Sequence, residues 1–257
     1  MDKILKSFSD ILGLPVLASE HGKSVDALII YVHWLMIVLF IGWFAYFLYA
    51  LFRFQQKRHP KADPVGVKGH ATTYIEATVA LVEGILLVGM AVPLWTKAVS
   101  KFPDVKDSTV LQVVAQQFAW NVRYPGKDGV FGKQDMRWVT SDNVFGVDPK
   151  DPNGKDDVQT LNEIHVVVNK PVIVYISSKD VIHSFKIIAM RITQDAIPGM
   201  RIPVHFTPLM EGRFQINCAQ LCGNGHSSMS QGYLVVESQE AFDKWIASKA
   251  GAATSFE

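Results

Sequence analysis

The chain has 257 residues, 25 Lys and Arg against 24 Asp and Glu, two cysteines and 49% hydrophobic residues. So apolar and nearly neutral a composition excludes an intrinsically disordered chain, and two thiols over this length exclude a disulfide-built scaffold. The charge balance also lacks the basic excess that nucleic-acid binding draws on, so no nucleic-acid partner is expected.

Residues 1–26 are read as an exported N-terminal segment without the compact apolar core and small-residue cleavage site of a signal peptide. From Ala27 to Phe52 the sequence carries no formal charge over 26 residues. A helix of that length rises about 39 Å, enough to cross a hydrocarbon core of about 30 Å with some tilt. A second apolar stretch runs from Thr73 to Trp95, interrupted by Glu76 and Glu83. Between them stand Arg53, Lys57, Arg58, Lys61 and Lys68 with Asp63 opposing, and this basic loop belongs on the cytoplasmic side. Residues 27–98 thus read as a transmembrane helical hairpin with both ends facing outward. An acid inside a span costs about 2.5 to 3.5 kcal/mol when central, so both glutamates are expected to face a partner or a water path.

Residues 99–238 change character, with short runs of β-branched and aromatic residues punctuated by Gly, Pro, Asp and Asn. Strands are expected at Thr109–Gln116, Phe118–Tyr124, Glu163–Val168, Pro171–Ser177, His183–Ile188, Ile202–Thr207, Arg213–Cys218 and Gly232–Glu237, which makes a small β-sandwich or barrel. Ser141–Asp157 reads as an exposed, loop-like insertion. Residues 239–257 form a C-terminal helix and tail, Gln239–Lys249 placing Phe242, Trp245 and Ile246 on one docking face. The fold class is therefore α plus all-β, a two-helix transmembrane hairpin followed by a β-sandwich.

One passage concentrates chemistry. Cys218, Cys222, His226 and Met229 are spaced Cys-x3-Cys-x3-His-x2-Met, and these soft or borderline donors suit copper better than magnesium or calcium. Glycines at 223 and 225 let near neighbours converge on one point. A mononuclear blue-copper site needs one Cys, two His and a weak Met, the second His coming from far upstream, and His183 is the candidate. That scheme leaves one thiolate over. Two thiolates bridging two coppers, each capped by an imidazole and a weaker donor (Met229 for one, a carbonyl near Gln220 for the other), use every candidate. Ordinary alternatives are a disulfide, a pair of small buried hydrophobes, or a structural zinc that would leave Met229 idle. His165 and His205 sit in alternating strand patterns that read as sheet packing. Without a Cys-x-x-Cys-His motif the chain carries no covalent c-type haem, so its electron donor would be another molecule.

Taken together, the hairpin, Asp180-Val181-Ile182-His183-Ser184-Phe185, Asp195-Ala196-Ile197-Pro198-Gly199, the Cys218 to Met229 run and Phe242-Asp243-Lys244-Trp245 resemble subunit II of haem-copper cytochrome c oxidases. The likeness covers nearly everything from the first span to Trp245. It implies a cupredoxin-like sandwich and a dinuclear CuA centre held by His183, Cys218, Gln220 through its carbonyl, Cys222, His226 and Met229. It implies electron transfer from cytochrome c to haem in subunit I for reduction of oxygen to water, with proton translocation, subunit III as a further partner, and a bacterial plasma membrane with the copper domain in the periplasm. The family commonly has Glu where this chain has Gln220, and its carboxylate contributes to a magnesium ion; the amide here leaves magnesium in doubt. The family's exposed electron-accepting tryptophan corresponds to Phe118, with Trp120 the other candidate, and core packing the alternative for each. Glu76 resembles the glutamate at the mouth of a proton channel, while Glu83 is expected to be a neutral acid packed against subunit I. Asp180 and the acids from Asp148 to Asp157 would be a weak attraction for a basic donor. The rival functions are a membrane-anchored copper-binding or delivery protein and a thiol–disulfide redox sensor.

Overall fold

The structure, a computed structural model, describes residues 2–61, 64–66 and 68–249, with side chains from residue 7 onward. Asp63 of the basic loop and the tail beyond Lys249 lie outside the described residues. The chain divides into two units, one holding the stretch up to Leu14 and Ser24–Lys97, the other Pro15–Lys23 and everything from Ala98 on.

The helical unit contains α1 (Asp2–Ile11), α2 (Gly22–Arg53) and a second long helix. That helix starts as α3 (Ala71–Gly84), passes through seven residues of π-helix at Ile85–Ala91, and ends as α4 (Val92–Ser100). At 32 and 30 residues the two long helices are apolar and long enough to span a membrane. The uninterrupted apolar run explains α2: nothing breaks it until Arg53. The wide turn just after Glu83 has no counterpart in the simple helix expected from the sequence, and such turns are often found at functional sites. Glu76 and Glu83 are both exposed on this helix.

The second unit is a sandwich of two five-stranded sheets. Its strands are β1 (Thr109–Gln116), β2 (Ala119–Tyr124), β3 (Val158–Leu161), β4 (Glu163–Val167), β5 (Val172–Ser178), β6 (His183–Ile187), β7 (Ile192–Ala196), β8 (Ile202–Phe206), β9 (Gly212–Cys218) and β10 (Gly232–Glu237). One sheet has the order β3-β2-β1-β5-β8 and the other β4-β10-β9-β6-β7. Both are mixed, with parallel pairs β1–β5 and β4–β10. Alternation sets the core: Leu111, Val113 and Ala115 of β1 point inward against Trp120, Val122, Val174, Ile176, Phe185, Ile187, Ile216 and Leu234. Eight strands match the expected positions within a residue or so; β3 and β7 are additional.

Two further segments close the sandwich. Pro15–Lys23 lies on it as a strap, with Ala18 N–H donating to Ala189 O at 2.8 Å, Leu209 N–H to Ala18 O at 2.8 Å, and the buried Ser19 Oγ to Met190 O at 2.7 Å. Arg191 holds the strap's start, donating from Nη2 to Pro15 O at 2.7 Å. At the other end α5 (Gln239–Lys249) docks through Trp245, whose ring stacks on His165 at 4.0 Å and meets Tyr124 edge-on at 5.4 Å. His165 is a packing residue as expected, its ring nitrogens 2.7 Å from Glu237 and 2.9 Å from Glu163. His205 packs against Phe102 at 4.6 Å.

The insertion is not the exposed loop expected from its composition. Phe145, Gly146 and Asp151 are buried, and the segment folds back onto Arg123, whose side chain is fully buried and ion-paired with Asp157. The guanidinium also donates to Gly132 O at 3.0 Å and lies 5.3 Å from the Phe131 ring and 5.9 Å from Phe145. A buried cation needs such a carboxylate, and this need pulls a polar, Gly- and Asp-rich segment inward. The acids from Asp148 to Asp157 are therefore engaged at least in part within the domain, Asp151 accepting from Lys133 N–H at 2.7 Å.

Candidate metal centre

The site is built where β6 begins and β9 ends. These strands pair, with Phe185 opposite Cys218, which sets His183 near the first cysteine. Ala219 N–H donates to Ser184 O at 2.9 Å and extends the ladder into the ligand loop. The loop then turns tightly: Gly223 has φ of 139°, a conformation closed to ordinary L-residues, and His226–Gln231 forms a short 3-10 segment that buries Met229.

The donors converge. His183 Nδ1, Cys218 Sγ and Cys222 Sγ lie within 4.8 Å of one another, the two thiols being free and 4.0 Å apart. Met229 Sδ is 3.5 Å from Cys222 Sγ and 3.1 Å from His183 Nδ1. His226 Nδ1 is 3.4 Å from Cys222 Sγ, and Gln220 O is 3.1 Å from Cys218 Sγ. His183 and the two cysteines thus form a close cluster, with Met229 against His183 and Cys222, His226 against Cys222 and the Gln220 carbonyl against Cys218, and both imidazoles turn Nδ1 toward the sulfurs. Burial, together with the neighbouring Cys218, pushes the Cys222 thiol up to about 11. A thiol so placed is a poor thiolate source by itself and a good one beside a cation, because metal binding drives deprotonation. Two sulfurs, a thioether, two imidazoles and a carbonyl make a donor set that fits copper.

Around the donors stands a second set of contacts that the sequence reading missed. Asp180 Oδ1 accepts from His183 Nε2 at 2.9 Å, while its carboxylate also accepts from Val181 N–H and Gln117 N–H, each at 2.7 Å. Burial works to raise the Asp180 carboxyl, but these hydrogen bonds outweigh it and hold it below the ordinary carboxylate range. Asp180 therefore faces the site rather than a docking partner. Its spacing three residues before His183 was the available signal. The two aromatic candidates separate by depth. Trp120 is fully buried, donating from Nε1 to Met229 O at 2.9 Å; Phe118 is half-buried and lies against the glycines of the ligand loop.

The family described as cytochrome C oxidase subunit II, periplasmic domain, matches residues 109–238. The chain belongs to the cytochrome c oxidase subunit II family. It is 30% identical over 228 residues to the alternative cytochrome c oxidase subunit 2 of Bradyrhizobium diazoefficiens, covering 86% of this chain and 79% of that one. It is 33% identical over 192 residues to the probable cytochrome c oxidase subunit 2 of Rickettsia conorii, covering 74% of this chain and 57% of the relative. Among solved structures, it resembles the periplasmic domain of subunit II of the Bradyrhizobium japonicum oxidase (TM-score 0.42, 27% identity), over 57% of this chain and 95% of that one. As a subunit II, the chain is a membrane-anchored component of a cytochrome c oxidase with an external β-sandwich domain.

Proposed function

We propose that this subunit accepts electrons from a cytochrome c or similar haem protein at a dinuclear copper centre and delivers them to haem in subunit I. One observation supports the reading above the rest: two free thiols 4.0 Å apart, surrounded by two imidazole nitrogens, a thioether and a carbonyl. A closed structural zinc site takes four ligands, and six convergent donors centred on a thiol pair suit two ions. In this reading Cys218 and Cys222 would hold the copper pair, with His183, Met229, His226 and the Gln220 carbonyl completing the donor set. When bound, the copper pair supplies one-electron exchange with the charge shared over both metals.

The remaining work falls to the protein. Asp180 holds His183 by Nε2 and so presents Nδ1 inward, a carboxylate–imidazole arrangement that fixes ring and tautomer. The buried Trp120 indole anchors the Met229 backbone. Phe118, half-exposed at the rim of the loop, is the aromatic that a docked donor would meet. The Gln220 side chain brings no charge, so no magnesium ion is assigned to it. Oxygen reduction and proton translocation would reside in the complex, with Glu76 opening a proton path into subunit I, subunit III as a further neighbour, and the sandwich on the periplasmic side of a bacterial plasma membrane.

Metal analysis of the purified full-length chain loaded with copper tests this. Two coppers per chain, with an electron-spin signal of one electron shared between them, are expected; one ion or none refutes the proposal.

A further inference from the structure

The ligand loop is fixed on one side only by the sheet. Cys218 ends β9 and is held by the β6 pairing, whereas Cys222 to Ser228 projects beyond the strands. What faces this free side is the turn between β1 and β2, residues 117 and 118. Gln117 is exposed, yet it makes two contacts that run in opposite directions. Its Nε2 donates to Cys222 O at 2.6 Å, and its backbone N–H donates to Asp180 Oδ2 at 2.7 Å. Asp180 in turn accepts from His183 Nε2. An unbroken hydrogen-bonded chain therefore runs from the carbonyl of one thiol ligand, through Gln117, to the distal nitrogen of an imidazole ligand on the other arm. The neighbouring Phe118 ring packs where a Cβ at Gly225 would lie, closing the turn against the same loop.

We propose that Gln117 is a positioning residue for the metal centre: it ties the Cys222 arm to the His183 arm and sets the spacing of their donor atoms before copper arrives. The inference rests on the copper reading above and goes beyond it, because Gln117 offers no atom to the metals. An amide is suited to this task. It donates to a carbonyl without adding charge beside two thiolates, and its length bridges the turn to the loop. Removing partners of metal ligands of this kind typically lowers metal affinity about 10- to 100-fold. Gln117 is also at the surface, so replacing it opens no cavity in the core.

The experiment compares full-length wild type with Gln117→Glu and Gln117→Ala, purified in detergent. The glutamate keeps length and bulk but turns the donor into an acceptor facing the Cys222 carbonyl. Three quantities are measured: the melting midpoint of the apo chain, the rate at which an excess of copper chelator strips the loaded chain, and the hyperfine pattern of the loaded chain's electron-spin signal. Both variants are expected to melt within a few degrees of wild type, to lose copper at least about tenfold faster, and to show altered hyperfine splitting. If wild type holds two coppers and both variants match it in release rate and signal, the positioning role is refuted while the copper reading stands. It is equally refuted if Gln117→Glu behaves as wild type and Gln117→Ala loses copper only in proportion to a lowered apo midpoint, since the side chain would then merely pack. A wild-type chain that takes up no pair of coppers removes the copper reading itself.

Discussion

Gly225→Ala isolates how closely the β1–β2 turn is fitted to the ligand loop. Gly225 has φ of −92° and ψ of 16°, open to any residue, so alanine meets no backbone penalty there. Its Cβ, however, would lie 2.3 Å from Phe118 Cδ2 and 2.7 Å from both Cε2 and Cγ. Ordinary carbon contacts are about 3.5 to 4.0 Å, so ring and loop must separate by more than an ångström. Overpacking of this kind costs about 1 to 3 kcal/mol, or about 3 to 10 °C in midpoint for a domain of this size. Phe118→Ala should relieve it. The double variant is expected to melt above the sum of the two single losses, with a coupling of at least about 1 kcal/mol. Melting of the apo chain followed by near-ultraviolet circular dichroism is the assay. A Gly225→Ala chain as stable as wild type, or strictly additive losses, would refute the close fit on which the placement of Phe118 at the loop depends.

Asp157→Asn leaves the buried Arg123 guanidinium without its counter-charge and should destabilise the domain by about 3 to 5 kcal/mol, read in a denaturant titration; a loss below about 1 kcal/mol would mean that the pair does not hold the insertion. Backbone hydrogen bonds, that from Lys133 first, keep the Asp151 carboxyl below its usual range. Its contribution is therefore complete above the unfolded-state value of about 3.9 and disappears as pH falls through the lower folded value. Asp151→Asn should flatten stability against pH below about 4, and an unchanged acid limb would contradict this. Glu76→Gln should slow turnover and proton uptake in the assembled oxidase while leaving the copper signal intact; unchanged turnover and uptake would withdraw the proton-path proposal.

Much of the fold is legible in the sequence because its signals are local. β1 is a run of β-branched and apolar residues, β10 alternates in burial, and α5 announces its face through Phe242, Trp245 and Ile246. The two strands that were not foreseen lack such signals. β7, Ile-Thr-Gln-Asp-Ala, is a polar edge strand exposed in its middle, and β3 has four residues directly after the insertion. The insertion misleads for another reason: its polar composition reads as solvated, whereas a lone buried cation 34 residues upstream recruits Asp157. At the metal site, Cys218, Cys222, His226 and Met229 fall within twelve residues, so spacing reveals them, and His183 is the upstream imidazole that a copper donor set calls for and that the resemblance also implies. Gln117 carries no such mark. Its role depends on a β1–β2 turn meeting a loop 105 residues away, a juxtaposition that only the sandwich creates.

The strap of Pro15–Lys23 bears on biogenesis. Ser19 is bonded to a carbonyl 171 residues later in the chain, so the first-made part of this domain must wait until β6 and the turn after it have been made. At about 5 to 20 residues per second, roughly 10 to 30 s separate the emergence of the two. During that interval the hairpin has already been synthesised and the strap is an unpaired ribbon, open to proteases and assembly factors until Ala189 to Leu209 arrive to cover it.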